Sequence, residues 1–439
     1  MDWVLNLTLL LGGLLVLLAI GLPVAFSFLL INIVGFLAYM GGTRALPGLV
    51  LSISDSVSSF VFAPVPLFIF MGEVMFHSGL ARRSMDALEL WIGRIPGRLS
   101  LLSVVAGTIF ASLTGSGMAN TAMLGSTLVP EMQRRGYSKT MSMGPIMAAG
   151  SLAIMIPPSS LGVLLGSLAD ISVSGILIAG IVPGLLMALL FASYVIISCW
   201  LNPALAPAYP VPATTFATKV KSAMINVVPL AIIVFLVIGT ILMGIATPTE
   251  SAALGALGTL VLGVVYRELT WQGLKRAMMG TMMVTVMIYF VIAGAAAFSQ
   301  LLAFTGGGPG MVNFVLGLQI SPMGIILCMV GIYLFLGCFM EQLAIMMLTL
   351  PFMMPVVRAL GFDPLWFGCL ILITLEIATL TPPFGLVLFV MKGAAPPNVT
   401  MVDVYKAATP FIICDLVVLA VMIAFPGFAL WLPRLMAST

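Results

Sequence analysis

A chain of 439 residues that is 62% hydrophobic and only 7% charged, with a mean hydropathy of +1.24, offers too little polar surface to fold as a soluble domain. Composition therefore assigns an all-α polytopic membrane protein, and its 44 Gly and 28 Pro suit membrane helices better than soluble ones. The net charge of +3 says little by itself; the placement of the charges says more.

The N-terminus, Met1-Asp2-Trp3, lacks a basic stretch and a small-residue cleavage site, so the first apolar run is expected to be a retained span, not a signal peptide. Apolar runs predict spans over residues 4–21, 24–42 and 60–79. A charged amphipathic stretch follows from Arg82 to Arg98, then a long apolar segment over 99–134. Further spans are predicted over 140–168 and 175–200. Residues 201–222, with Pro203, Pro207, Pro210 and Pro212, read as a cytoplasmic linker without regular structure. Spans over 225–245, 249–267 and 278–304 come next, then the glycine run Gly306-Gly307-Gly308. A second long segment covers 322–358, and the last spans fall over 363–395 and 404–432.

The second half repeats the first at an offset of 225 residues. Pro23 matches Pro248, Phe110 matches Phe335, Ala119 matches Ala344 and Pro130 matches Pro355. Gly136 matches Gly361, Ala153 matches Ala378, and Pro157-Pro158 matches Pro382-Pro383. The matches fall mainly on Pro and Gly, which set backbone shape. Duplicated apolar halves with breaks at corresponding positions are the sequence pattern of a secondary transporter. The halves are 1–200 and 223–439.

The segments 99–134 and 322–358 are too short to hold two full spans each, and the first is interrupted by Thr114-Gly115-Ser116-Gly117. Each is read as a re-entrant hairpin, a shape tolerated at membrane depth only where protein or a cavity surrounds the tip. With the N-terminus outside (periplasmic), the inside loops then hold Arg82, Arg83, Arg94, Arg98, Arg134, Arg135, Lys139, Lys219, Lys221, Arg267, Lys275, Arg276, Lys392 and Lys406. Only Arg44, Arg358 and Arg434 remain outside, so 14 of the 17 basic residues are inside. Each half has five full crossings plus a hairpin. Five is odd, so the repeat is read as inverted.

The proline pairs lie within the segments 140–168 and 363–395. A helix-interior proline lacks the N–H for the carbonyl four residues back, which makes these two segments broken helices. The freed carbonyls are those of Ala153, Ile154, Ala378 and Thr379, and hard oxygen donors of this kind suit Na⁺. Hydroxyls of Ser159, Ser160, Thr379 and Thr381 stand beside them. The tips Thr114 to Asn120 and Met340-Glu341-Gln342 are placed opposite, where half-helix N-termini suit an anionic substrate. Thr114, Gly117, Ser159 and Thr381 are the substrate candidates. The plainer alternative is two proline kinks packed in a scaffold; two kinks at matching positions, each with a hairpin, favour a transport core.

Glu73, Glu250, Glu341, Glu376 and Asp415 are the carboxylates within apolar segments, where charge is costly and faces a cavity or a partner. Glu341 at a tip and Glu376 one turn before a break are candidates for ion or proton coupling; the alternative for each is a structural hydrogen bond. Glu250, in Thr247-Pro248-Thr249-Glu250, is equally placed to cap a helix. The lone His77 reads as an interfacial packing residue, and the five isolated cysteines as packing residues. A P-loop and an HExxH pair are both missing from the sequence, so the chain is not read as an enzyme or an ATP binder, and nothing in it suggests nucleic-acid binding.

On these residues the chain resembles the large membrane subunit (M subunit) of a TRAP, or tripartite ATP-independent periplasmic, transporter of the ion transporter superfamily. The resemblance rests on Pro66-Leu67-Phe68 with Met71-Gly72-Glu73, on Thr114-Gly115-Ser116 through Gly125 to Pro130, and on Gly136-Tyr137. It continues in Ile156-Pro157-Pro158-Ser159, Gly244 to Glu250, and Thr381-Pro382-Pro383-Phe384-Gly385. It implies a Na⁺-driven, elevator-type importer of a small organic anion across the bacterial inner membrane, with scaffold and transport domains. The implied partners are a separate small membrane subunit, a periplasmic substrate-binding protein and membrane lipid. Two Na⁺ sites are implied, the first on Gly115, Ser116, Asn120, Ile156 and Pro157, the second on Met340, Glu341, Thr379 and Pro382. The first tip departs from the more usual Ser-Gly-Ser-Ser, Ala153 replaces a common Gly, and Glu341 replaces the usual Asp. A stand-alone sodium/dicarboxylate transporter of the same superfamily, and a channel or scaffold subunit, are the alternative readings.

Overall fold

A computed structural model describes residues 3–93, 95–207, 209 and 215–437. Met1, Asp2, Arg94, Pro210 and Pro212, invoked above, lie outside the described residues. The first half forms α1 (Trp3–Ala19), α2 (Val24–Tyr39), α3 (Leu46–Ser58), α4 (Pro64–His77) and α5 (Leu80–Glu89). It continues with α6 (Arg98–Thr114), α7 (Gly117–Arg134), α8 (Lys139–Ser151), α9 (Ser160–Leu168), α10 (Val173–Ala179) and α11 (Ile181–Leu201). The second half forms α12 (Phe216–Asn226), α13 (Val228–Leu242), α14 (Pro248–Val265), α15 (Trp271–Phe304) and α16 (Gly307–Leu316). It ends with α17 (Pro322–Gly337), α18 (Gln342–Ala359), α19 (Pro364–Leu380), α20 (Leu386–Ala394), α21 (Met401–Ala424) and α22 (Gly427–Ala437). Among the described residues six helices are long and apolar enough to cross a membrane.

The sequence offset is visible in the helices. Gly117–Arg134 and Gln342–Ala359 start and end 225 residues apart, and Lys139 and Pro364 open α8 and α19 at the same separation. The segments 99–134 and 322–358 each contain two helices joined by a short tip, α6–α7 and α17–α18. The segments 140–168 and 363–395 are each interrupted at their proline pair. Both Pro-Pro bonds are cis.

The halves are not copies. Residues 46–77 form two helices because Ser59 leaves helical geometry and Pro64 and Pro66 sit in the first turn of α4. The corresponding stretch of the second half, Val284 to Val291, has no proline, and α15 runs through it unbroken for 34 residues. Its length of about 50 Å exceeds a ~30 Å hydrocarbon core. Three helices were not anticipated. α3 is short and carries Asp55 and four serines; α12 starts inside the expected linker, capped by the Thr215 hydroxyl; α16 begins in the glycine run, where Gly306 takes the left-handed conformation (φ 73°). The last predicted span is likewise two helices, parted at Phe425-Pro426. Glu250 is a cap: its Oε2 accepts from the Thr247 N–H at 2.8 Å while the Thr247 hydroxyl accepts from the Glu250 N–H.

The helices pack as two sets. α4 packs against α14 and α15, and α15 also packs on α2 and α3, so α1–α5 with α12–α16 form one set. α8 is wrapped by α6, α7 and α21, and α19 by α17 and α21; α6–α11 with α17–α22 form the other. Basic residues assigned inside join the halves: Arg83 pairs with Glu268, and Lys139 with Asp403 at 2.7 Å. Arg358, assigned outside, donates to the carbonyls of Ala169 and Asp170 at 2.9 and 2.8 Å.

Close helix approach within the second set depends on glycine. A Cβ on Gly150 of α8 would run into the Thr121 hydroxyl of α7, whereas Gly331 of α17 faces open space. Gly150→Val is expected to destabilise the protein by about 1–3 kcal/mol through overpacking. Gly331→Ala should leave it unchanged or stabilise it by about 0.5–1 kcal/mol. Thermal midpoints of the detergent-purified variants check both; equal midpoints would contradict the packing assigned here.

Candidate functional site

Four helix ends meet at each pair of interruptions. In the first half, Thr114 ends α6 and Gly115 turns the chain with φ 55°, a left-handed value that glycine adopts without strain. Ser116 then caps α7, its Oγ accepting from the Ala119 N–H at 3.3 Å. Across from it, α8 closes in a 3₁₀ turn over Leu152–Ile154, and Ser159 restarts the helix as α9. The Ser159 hydroxyl donates to the Ile154 carbonyl at 2.6 Å and accepts from the Gly162 N–H at 3.0 Å. One of the carbonyls expected to be free is therefore bound by a side chain on the far side of the break.

The second half solves the same problem with different groups. Glu341 caps α18 through Oε2, which accepts from the Leu343 N–H at 3.1 Å. Gln342 donates from Nε2 to the Leu375 carbonyl at 3.1 Å, fastening the tip to α19. Thr379 and Thr381 turn their hydroxyls back onto the carbonyls of Glu376 and Ile377, both at 2.7 Å. In the first half the fastening role belongs to Asn120, whose Nδ2 donates to Gly107 of α6 at 2.9 Å and Ala149 of α8 at 3.3 Å. Its Oδ1 is fully buried and has no hydrogen-bond partner.

Both tips and both breaks face one cavity of about 160 Å³. One water needs roughly 10–15 Å³ of such space, so the cavity has room for a small organic molecule. Thr114, Gly115, Ser116, Gly117, Ser159, Glu341 and Thr379 line it. Asn120, Ile156, Pro157, Met340, Thr381 and Pro382 do not form its wall. Four helices begin on it: Gly117 of α7, Ser160 of α9, Gln342 of α18 and Leu386 of α20 all contribute. The opposite wall comes from the other helix set, with Ile69, Gly72, Glu73 and Phe76 of α4 and Val284, Met287 and Ile288 of α15. The cavity therefore lies between the two sets. Glu73 and Glu341 are its ionisable lining residues among those described; no Lys or Arg lines it.

Sequence reasoning left Glu73 without a role, placed Gln342 on the second tip without assigning it one, and overlooked Ser151. Glu73 lies against His77, whose Nε2 is 3.4 Å from Glu73 Oε2. Ser151 lines the cavity, and its Oγ donates to Glu376 Oε1 at 3.2 Å. These two residues are 225 apart, so equivalent positions of the two halves touch each other. The repeat offset was the available signal: a residue that packs against its own counterpart marks where the halves meet.

The family model for the DctM component of the tripartite ATP-independent periplasmic transporter matches residues 11–428. The C4-dicarboxylate TRAP transporter large permease protein DctM of Pseudomonas aeruginosa is 31% identical over 88% of this chain and 89% of its own length. The sialic acid TRAP transporter large permease protein SiaM of Vibrio cholerae is 30% identical over 96% of this chain and 97% of its own length. Among solved structures, the YdaH transporter of Alcanivorax borkumensis superposes with a TM-score of 0.63 at 16% identity, covering 89% of this chain and 90% of that one, a likeness of fold alone. The chain is a multi-pass membrane protein and not an enzyme: it belongs to the DctM family, the large permease component of the tripartite ATP-independent periplasmic transporters.

Proposed function

We propose that this permease imports a small organic anion, a carboxylate, across the bacterial inner membrane, driven by a Na⁺ gradient. It takes the substrate from a periplasmic binding protein and works beside a separate small membrane subunit. The observation that carries this reading is the cavity shared by both tips and both breaks, with four helix N-termini on its wall. N-termini favour the carboxylate of a substrate. The helix C-termini that end at the same breaks, together with hydroxyl and amide oxygens, favour Na⁺. The relatives named above are, by their names, permeases for C4-dicarboxylates and for sialic acid, both of which carry carboxylates.

The first Na⁺ site is assigned to Gly115, Ser116, Asn120, Ile156 and Pro157. The orphaned Asn120 Oδ1, buried beside the tip, is the kind of oxygen a dehydrated cation completes. The second site is assigned to Met340, Glu341, Thr379 and Pro382, with Glu341 supplying charge that the first lacks. Thr114, Gly117, Ser159 and Thr381 are assigned to the substrate. The set α6–α11 with α17–α22 is the transport body, and α1–α5 with α12–α16 the scaffold against which it moves in an elevator cycle. The cavity between the two sets, and the pairing of the first-half residues Arg83 and Lys139, assigned inside, with the second-half carboxylates Glu268 and Asp403, support an inverted repeat with a periplasmic N-terminus.

Two measurements on the complete transporter in proteoliposomes check this reading. Ser116→Ala and Thr379→Ala should each raise the Na⁺ concentration for half-maximal uptake several-fold. Thr379→Ala removes only a hydroxyl bonded within its own helix, so its thermal midpoint should match the parent, whereas Ser116→Ala also loses a cap worth about 1 kcal/mol. Unchanged Na⁺ dependence in both variants would contradict the assignment. Uptake should also vanish when the binding protein is left out. Full uptake without it would favour a stand-alone transporter, and uptake indifferent to Na⁺ a channel.

A further inference from the structure

Glu376 and Asp415 are fully buried in helices α19 and α21, which pack together and against α8. Neither carboxylate has an ion pair with a described residue, and the two interact electrostatically with each other. Glu376 Oε1 receives one hydrogen bond, from Ser151; Glu376 Oε2 and both oxygens of Asp415 have none. Two carboxylates with three orphaned oxygens, buried among apolar helices, are costly unless something neutralises and coordinates them. The surroundings favour a cation with several oxygen ligands. Ser151 is the last residue of α8 and Glu376 lies in the last turns of α19, so two helix C-termini direct their negative ends toward the seam. Ser151 also lines the cavity, which gives an ion a way in.

We propose that Glu376, Asp415 and Ser151 form a third Na⁺ site, behind the cavity and near the line where equivalent positions of the two halves meet. Its ligands are Glu376 Oε2, the Asp415 carboxylate and the Ser151 hydroxyl. It differs from the two sites at the tips in taking its charge from two carboxylates. The inference rests on Na⁺ being the coupling ion, and it adds one ion to the cycle.

The test is equilibrium binding of ²²Na⁺ to the purified complex of this chain with its small subunit, in choline chloride of constant ionic strength. It needs no knowledge of the substrate. Asp415→Asn and Glu376→Gln, each close to isosteric, should bind one Na⁺ fewer per transporter than the parent. Ser151→Ala, which removes only a hydroxyl, should weaken one class of site about tenfold and covers the case that a carboxamide variant fails to fold. Thermal midpoints titrated with NaCl should show the same loss. Parental stoichiometry and affinity in Asp415→Asn and Ser151→Ala overturn the site. So does loss of a pH-dependent step in the variants with all Na⁺ retained, which would make the pair a proton site. A parent that binds no Na⁺ sinks the Na⁺-driven reading itself, and this inference with it.

Discussion

A helix that stops inside an apolar slab leaves four N–H or four C=O groups without partners, and no water is there to take them. The second set of helices in this protein stops four times beside one cavity, at the tips before α7 and α18 and at the breaks before α9 and α20. Everything distinctive about the site follows from how those ends are satisfied. Ser116, Ser159 and Glu341 cap the restarting helices, the Ser159 hydroxyl also closes the Ile154 carbonyl, and Gln342 and Asn120 bind carbonyls of neighbouring helices. Each cap is worth about 1 kcal/mol, and leaving such groups unpaired would cost more.

That logic explains why the two halves differ where they matter. The first tip uses small neutral groups, Gly115, Ser116 and Asn120, and its spare oxygen is an amide. The second tip carries Glu341, whose carboxylate both caps a helix and brings charge to the cavity. The breaks match in position, but the groups around them differ in charge. In the other helix set, α3 and α4 are separate where the counterpart α15 is continuous and has no proline at the positions of Pro64 and Pro66. Both α4 and α15 face the cavity, so its far wall is built from one helix of each half.

Much of this was legible in the sequence because Pro, Gly and long apolar runs report backbone shape directly. The tips at Gly115-Ser116 and Met340-Glu341 and the breaks at Pro157 and Pro382 lie where those residues place them. The helices that escaped notice were short or carried mixed signals. α16 hides in a glycine run, α12 in a proline-rich linker, and α3 among serines that read as loop. Side-chain partnerships were less accessible. The Ser151–Glu376 contact is encoded by the offset itself, yet it becomes meaningful only once the helices are known to meet there. Glu73 faces the cavity because α4 packs against α15 and the first tip, a relation that no local pattern reveals.

The central claim is that both tips enclose Na⁺ in one shared cavity. Single cysteines at Met118, beside the first tip, and at Leu343, beside the second, test it most directly when introduced after the five native cysteines are replaced. The account predicts that Na⁺, but not choline at equal ionic strength, slows maleimide labelling of both positions, while a cysteine at Gly331 on the outer face of α17 labels at one rate throughout. Labelling at Met118 and Leu343 that ignores Na⁺ would contradict it.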